Sequence, residues 1–193
     1  MRASSGLISP SDSVLMIVDF QEKLVSAMSD LAEVSTNINA LVQSAIQLGV
    51  PLTVTEHCPH KIGLTVASIR GQCGSEEILT KTAFDALSEQ SIARHMETLG
   101  RTQIVVVGTE SHVCVLQTIF GLLRQGYEPY IVCDAVTSRK VYDKEKALSR
   151  IAAHGVQCVT TEMVLFEWLA RGDTPEFKKL IPLIKDLKRE SRK

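Results

Sequence analysis

Short runs of β-branched and aliphatic residues alternate with helix-period segments along most of this chain, and this alternation limits its fold more than any other feature. Val14 to Val18 is an unbroken apolar run, as a strand buried on both faces requires. Val34, Ile38, Leu41, Val42, Ala45 and Ile46 then recur at helical spacing, and Gly49 ends that segment. Further strands are predicted over residues 52–55, 78–80, 104–107, 130–133 and 156–159. Helices are predicted over 88–99, 114–124 (closed by Gly126) and 144–153. Strands joined through helices pair in parallel. The chain therefore reads as a three-layer α/β/α fold with a six-stranded, mostly parallel sheet. Its length, 193 residues, suits one domain spanning 1–193.

The last segment differs in character. Thr174 and Pro175 form a helix start, with Thr as N-cap and Pro at the first helical position. Phe177, Leu180, Ile181, Ile184 and Leu187 then make an apolar stripe that Pro182 is expected to bend. Residues 174–193 thus read as a helical arm that docks on the domain or on a neighbouring subunit.

Composition narrows the function classes. Hydrophobic residues make up 45% and aromatics only 5%, which supplies a large aliphatic core but few rings for stacking bases. The net charge of −1 creates no whole-molecule field for nucleic acid or an anionic membrane. No apolar run approaches the roughly 18 residues of a membrane span. Residues 1–13 hold one Arg and no apolar h-region, so the expected location is the cytoplasm or an organelle such as the mitochondrion. Cys58, Cys73, Cys114, Cys133 and Cys158 are odd in number and form no CxxC pair, which favours reduced thiols over a disulfide framework.

In open α/β sheets, sites form at the carboxyl ends of the strands. Asp19, Lys81, Cys114 and Asp134 all follow predicted strands there. Cys114 also opens a predicted helix, where free N–H groups and the helix dipole would stabilise a thiolate. A nearby Asp19 could take the thiol proton on attack, with Lys81 holding the carboxylate. Each residue also has a plainer reading: Cys114 as a small packing residue, Asp19 as a turn cap, Lys81 as a solvated charge, and Asp134 as the cap of the next helix.

The segments around these residues carry a resemblance. Val18-Asp-Phe-Gln-Glu-Lys23, Lys81-Thr-Ala-Phe-Asp-Ala86 and Gly108-Thr-Glu-Ser-His-Val-Cys-Val115 resemble, in order and spacing, the three signature segments of the isochorismatase-like cysteine hydrolases. The style is closest to the isochorismatase domain-containing branch. The resemblance implies strand order 3-2-1-4-5-6 and a triad of Asp19, Lys81 and Cys114. It implies a cis peptide at Thr109–Glu110 and an oxyanion hole from the N–H groups of Glu110 and Cys114. With the thiol retained, it points to cleavage of a C–N bond in a small amide-like substrate through an acyl-enzyme. It also points to a homo-oligomer, a dimer or larger.

Phe20, Glu56, His57 and His112 are the expected pocket residues, together with the loop from Glu56 to Gly74. Glu56-His-Cys-Pro-His60 stands where nicotinamidases of this family carry metal ligands, but its spacing departs from theirs. Neither a metal nor another cofactor is expected. Two other classes compete. Asp19, Glu56, Glu110 and Asp134 could form a two-metal acidic cluster of a nuclease, helped by Lys178, Lys179, Lys185, Lys188, Arg189, Arg192 and Lys193 in the tail. Near-neutral charge and few aromatics weigh against it. The third class is a metabolite-binding or scaffold protein with little turnover.

Overall fold

The computed structural model describes residues 6–28 and 30–190, without the side chains of 188–190. Every residue of β1 (Ser13–Val18) is buried, because the strand lies in mid-sheet with helices on both faces. Its side chains alternate between two cores. Leu15 and Ile17 enter one, Val14, Met16 and Val18 the other. The sheet also contains β2 (Leu52–His57), β3 (Ile78–Lys81), β4 (Gln103–Thr109), β5 (Glu128–Thr137) and β6 (Gln157–Val159), in the order β3-β2-β1-β4-β5-β6. All five pairings are parallel.

Helix α1 is Leu31–Leu48. The others are α2 (Gln90–Leu99), α3 (Leu116–Arg124), α4 (Val141–Ala152), α5 (Thr161–Leu169) and α6 (Pro175–Glu190). Buried side chains of α1, α5 and α6 share one core with Leu15, Val54, Val105 and Val132, while α2, α3 and α4 share the other with Met16, Ile104, Val106 and Ile131. The chain-reversing Gly49 sits at φ 68° and ends α1 as predicted.

Three local departures from the predicted pattern have identifiable causes. Strand β5 does not stop at Asp134 but runs on to Thr137. Val106 pairs with Ile131 and Gly108 with Val136, so β5 bulges by three residues, and the bulge hides its period. Helix α2 starts at Gln90, because Asp85 first caps a separate turn over Ala86–Ser88 by accepting from the Leu87 N–H at 2.9 Å. Helix α3 starts at Leu116, because Ser111–Val115 forms a π turn.

The C-terminal arm packs against its own domain. Thr174 Oγ1 accepts from the Phe177 N–H at 3.1 Å, and the helix continues with Pro182 inside it. Leu180 and Ile184 are buried in the α1–α5 core, each contributing roughly 1.5–3 kcal/mol. The arm therefore packs on its own sheet's helical layer. Residues 191–193 and the side chains of 188–190 lie outside the described residues.

Candidate active site

Strand order sets the site. Val18 of β1 pairs with Gly108 of β4 on one side and with Thr55 of β2 on the other. Asp19, the residue after β1, thus emerges between the ends of β2 and β4. Gly108 permits that pairing: its φ is 116°, and a Cβ there would stand 2.1 Å from the Val18 carbonyl oxygen.

Asp19 is held at every polar atom but one. It adopts a φ of 46°, uncommon for a residue with a Cβ. Its N–H donates to the Thr55 carbonyl (3.1 Å), and its carbonyl accepts from the Gln21 N–H (2.8 Å) and from Thr109 Oγ1 (2.6 Å). Oδ1 accepts from Thr55 Oγ1 at 2.7 Å. Oδ2 has no well-directed hydrogen bond and instead meets Lys81 Nζ at 2.7 Å as an ion pair.

Lys81 ends β3, two strands from β1 and therefore about 10 Å away. Its long side chain crosses the end of β2. Nζ donates to the carbonyls of Ala83 (3.0 Å) and Phe84 (3.4 Å), and these bonds orient it toward Asp19. Both side chains are wholly buried.

Cys114 lies within the π turn that follows β4, with its thiol near enough for both Asp19 and Lys81 to act on it. Three of the sequence-predicted residues, from three strand ends, thus meet. The electrostatics differ from the sequence expectation of a stabilised thiolate. Burial, then the Asp19 charge, push the thiol up to about 12, and Lys81 offsets this only in part. The resting group is a neutral thiol beside a carboxylate.

The peptide bond between Thr109 and Glu110 is cis. The Glu110 carbonyl accepts from the N–H groups of Val113 (3.0 Å) and Val115 (3.2 Å), with Cys114 between them outside that pair. The wide turn spaces these backbone groups differently from an α-helix, and such turns occur often at functional sites. The Glu110 carboxylate itself turns to Arg139, accepting from its N–H (3.1 Å) and Nε (3.0 Å).

The expected pocket residues separate. His57 stacks on Phe84 at 5.4 Å, and burial together with Lys81 keeps its imidazole below the ordinary range. His112 faces the other side, with Nδ1 3.0 Å from Ser138 Oγ and Nε2 3.9 Å from Asp143. Phe20 is fully buried and packs in the α1–α5 core. Glu56 is taken up in bracing the following loop, accepting from the Thr65 N–H at 2.7 Å and pairing with Arg70. Asp134 caps α5 and not the helix after its own strand, accepting from Thr161 N–H (2.8 Å) and Oγ1 (2.9 Å).

The four carboxylates of the nuclease reading thus have four separate partners. Among the described residues no three His, Cys, Asp or Glu side chains converge as metal ligands. Cys58 and His60 instead line a neighbouring cavity of about 410 Å³, together with Thr80, Thr82, Glu89 and Ser91.

Gln21 is the organising residue that sequence reasoning missed. Fully buried, it accepts from the His57 N–H (2.7 Å) and donates to the carbonyls of His57 (3.1 Å) and Gly63 (2.6 Å). It thus fastens the end of β2 to the loop beyond. Its position two residues after Asp19, within the first signature segment, was the available signal.

Comparison with known proteins agrees with this architecture. A family model described as the isochorismatase domain matches residues 13–163. Isochorismatase domain-containing protein 1 of Danio rerio is 34% identical over 180 residues, covering 93% of this chain; the chain spans 63% of that relative's length. The structure of the MAR1 ribonuclease from Caenorhabditis elegans superposes with a TM-score of 0.85 at 32% identity, over 93% of this chain and 92% of that one. The YcaC gene product of Escherichia coli, described as an octameric hydrolase of unknown specificity, shares the fold at a TM-score of 0.88 and 20% identity, covering 97% and 95%. No helix among the described residues is long and apolar enough to cross a membrane. With strand order, signature segments and the matched family model in agreement, the chain belongs to the isochorismatase family of hydrolases.

Proposed function

We propose that this protein is a cysteine-dependent hydrolase of a small amide-like substrate. The observation that carries the proposal is the proximity of the Cys114 thiol to the buried Asp19–Lys81 pair. As Cys114 Sγ attacks the acyl carbon, its proton passes to Asp19 Oδ2, the one oxygen of that carboxylate free of a directed hydrogen bond. Lys81 holds the carboxylate in place and balances its charge. The N–H groups of Glu110 and Cys114 receive the oxyanion. The proton then moves from Asp19 to the departing nitrogen, which leaves as ammonia or an amine, and water delivered past Asp19 cleaves the thioester.

Neither metal nor cofactor enters this scheme. The protein works as a homo-oligomer, a reading supported by the octamer described for the YcaC product. A cytoplasmic or organellar location keeps the thiol reduced.

An ammonia-release screen over small amides, with the wild type and Cys114→Ala side by side, tests the proposal. Release that disappears with the thiol supports it. Tight metabolite binding without turnover would replace it with the scaffold reading. RNA cleavage that survives Cys114→Ala but stops with chelator would replace it with the nuclease reading, which the name of the Caenorhabditis elegans neighbour makes worth including.

A further inference from the structure

Cys133 and Cys158 take no part in the site above, yet they meet across the seam between β5 and β6. Ile131 of β5 is the direct partner of Cys158 on β6. Cys133 lies two residues beyond Ile131 and so projects from the same face of the sheet. Its thiol turns back along its own strand and donates to the Ile131 carbonyl at 3.8 Å, which brings the sulfur level with Cys158. This register brings the two thiols near enough for Cys158 to act on Cys133. Cys158 is exposed on a three-residue edge strand, and Cys133 is half-buried behind it.

We infer that Cys133 and Cys158 form an oxidisable dithiol at the sheet edge, which a peroxide closes to an intrachain disulfide. The exposed Cys158 sulfur attacks one peroxide oxygen. The O–O bond breaks, and the thiol proton leaves with the other oxygen as water or an alcohol. The Cys133 sulfur then attacks the sulfur of the resulting sulfenic acid; the S–S bond forms, the S–O bond breaks, and the hydroxyl leaves with the Cys133 proton as water. The two thiols lose two electrons and the peroxide gains them.

Burial, followed by the charge and hydrogen bonding of Cys158, pushes Cys133 up to about 12, so Cys133 suits the resolving role and Cys158 the first attack. Diagonal neighbours on adjacent parallel strands have Cα atoms about 8 Å apart, beyond the roughly 7 Å that a disulfide spans without backbone movement. Only three residue pairs hold β6 to β5, so a small shift of the edge strand closes the gap. A disulfide closed under that tension is readily reduced, as a reversible one must be. Once closed, it fastens β6 to the bulged stretch of β5 where Asp134 caps α5.

The test uses the full-length protein, dilute hydrogen peroxide, and mass spectrometry of a non-reduced digest. A linked peptide pair containing Cys133 and Cys158, lighter by about 2 Da and reversed by dithiothreitol, is the expected result. It should be absent from Cys133→Ser and from Cys158→Ser; the latter alters an exposed side chain, so folding is not at risk. Cys158 carried on to sulfinic acid while Cys133 stays free would overturn the inference. Intermolecular disulfides through Cys158 at submicromolar protein would overturn it as well.

Discussion

The Lys81 ammonium stands 2.7 Å from the Asp19 carboxylate, and neither side chain has any exposed surface. Together they form a neutral unit; apart, each is a buried charge without compensation. Lys81→Met should cost about 3–5 kcal/mol, read as a lower urea midpoint at unchanged slope. Adding Asp19→Asn should restore most of that stability while leaving turnover absent. A double variant as unstable as the single one would show that the pair is not a unit.

Cys114→Ala deletes one sulfur from a buried position. Stability should stay within about 1 kcal/mol of the parent, while amide turnover falls by roughly 10,000-fold or more. Thermal unfolding and ammonia release on the same samples separate the two effects.

Alkaline behaviour follows from the raised thiol. The folded Cys114 titrates near 12 and the ordinary thiol near 9.0, so between those values the folded state keeps a proton that the unfolded state has lost. The associated stabilisation is complete below pH 9 and disappears as pH rises toward 12. Cys114→Ala should therefore lose less stability over that window. Iodoacetamide should label Cys114 slowly at neutral pH and about tenfold faster per pH unit upward. A rate already level by about pH 8 would mean a preformed thiolate and would exclude proton transfer to Asp19 during attack.

Gly108→Ala brings a methyl group to 2.1 Å from the Val18 carbonyl oxygen at a φ of 116°. Since β1 and β4 must then part, a loss above about 3 kcal/mol is expected, together with loss of activity. Circular dichroism during urea titration measures it directly.

Gln21→Glu keeps the shape of the side chain but removes the donors to the His57 and Gly63 carbonyls. The loop after β2 should loosen, raising KM for the amide substrate more than it lowers kcat, with Cys114 labelling unchanged. An equal fall in kcat and kcat/KM at constant KM would place Gln21 in the chemical step instead.

The strand ladder was readable because most strands are short and apolar and each crossover except that from β2 to β3 has a helical period. Asp19, Lys81 and Cys114 stood out near the carboxyl ends of predicted strands, but only the resemblance of their three segments singled them out as a set. The rest depended on partners distant in sequence. Nothing near Asp134 signals a β5 bulge or a cap for Thr161, 27 residues later. A π turn at Cys114 has no compositional mark, so the segment read as ordinary helix and the thiol as activated. Burial between two packed layers set the opposite direction. Gln21 looks like any polar residue until the end of β2 pairs with it.

The site draws on β1, β3 and the turn after β4, and so has no local reserve. During synthesis the chain acquires its carboxylate and its lysine well before its thiol. The strand that closes the gap between them, β4, pairs with β1 across some ninety residues. On the proposed mechanism, Cys114 has no base until that pairing forms. Turnover would then report that β4 has joined β1.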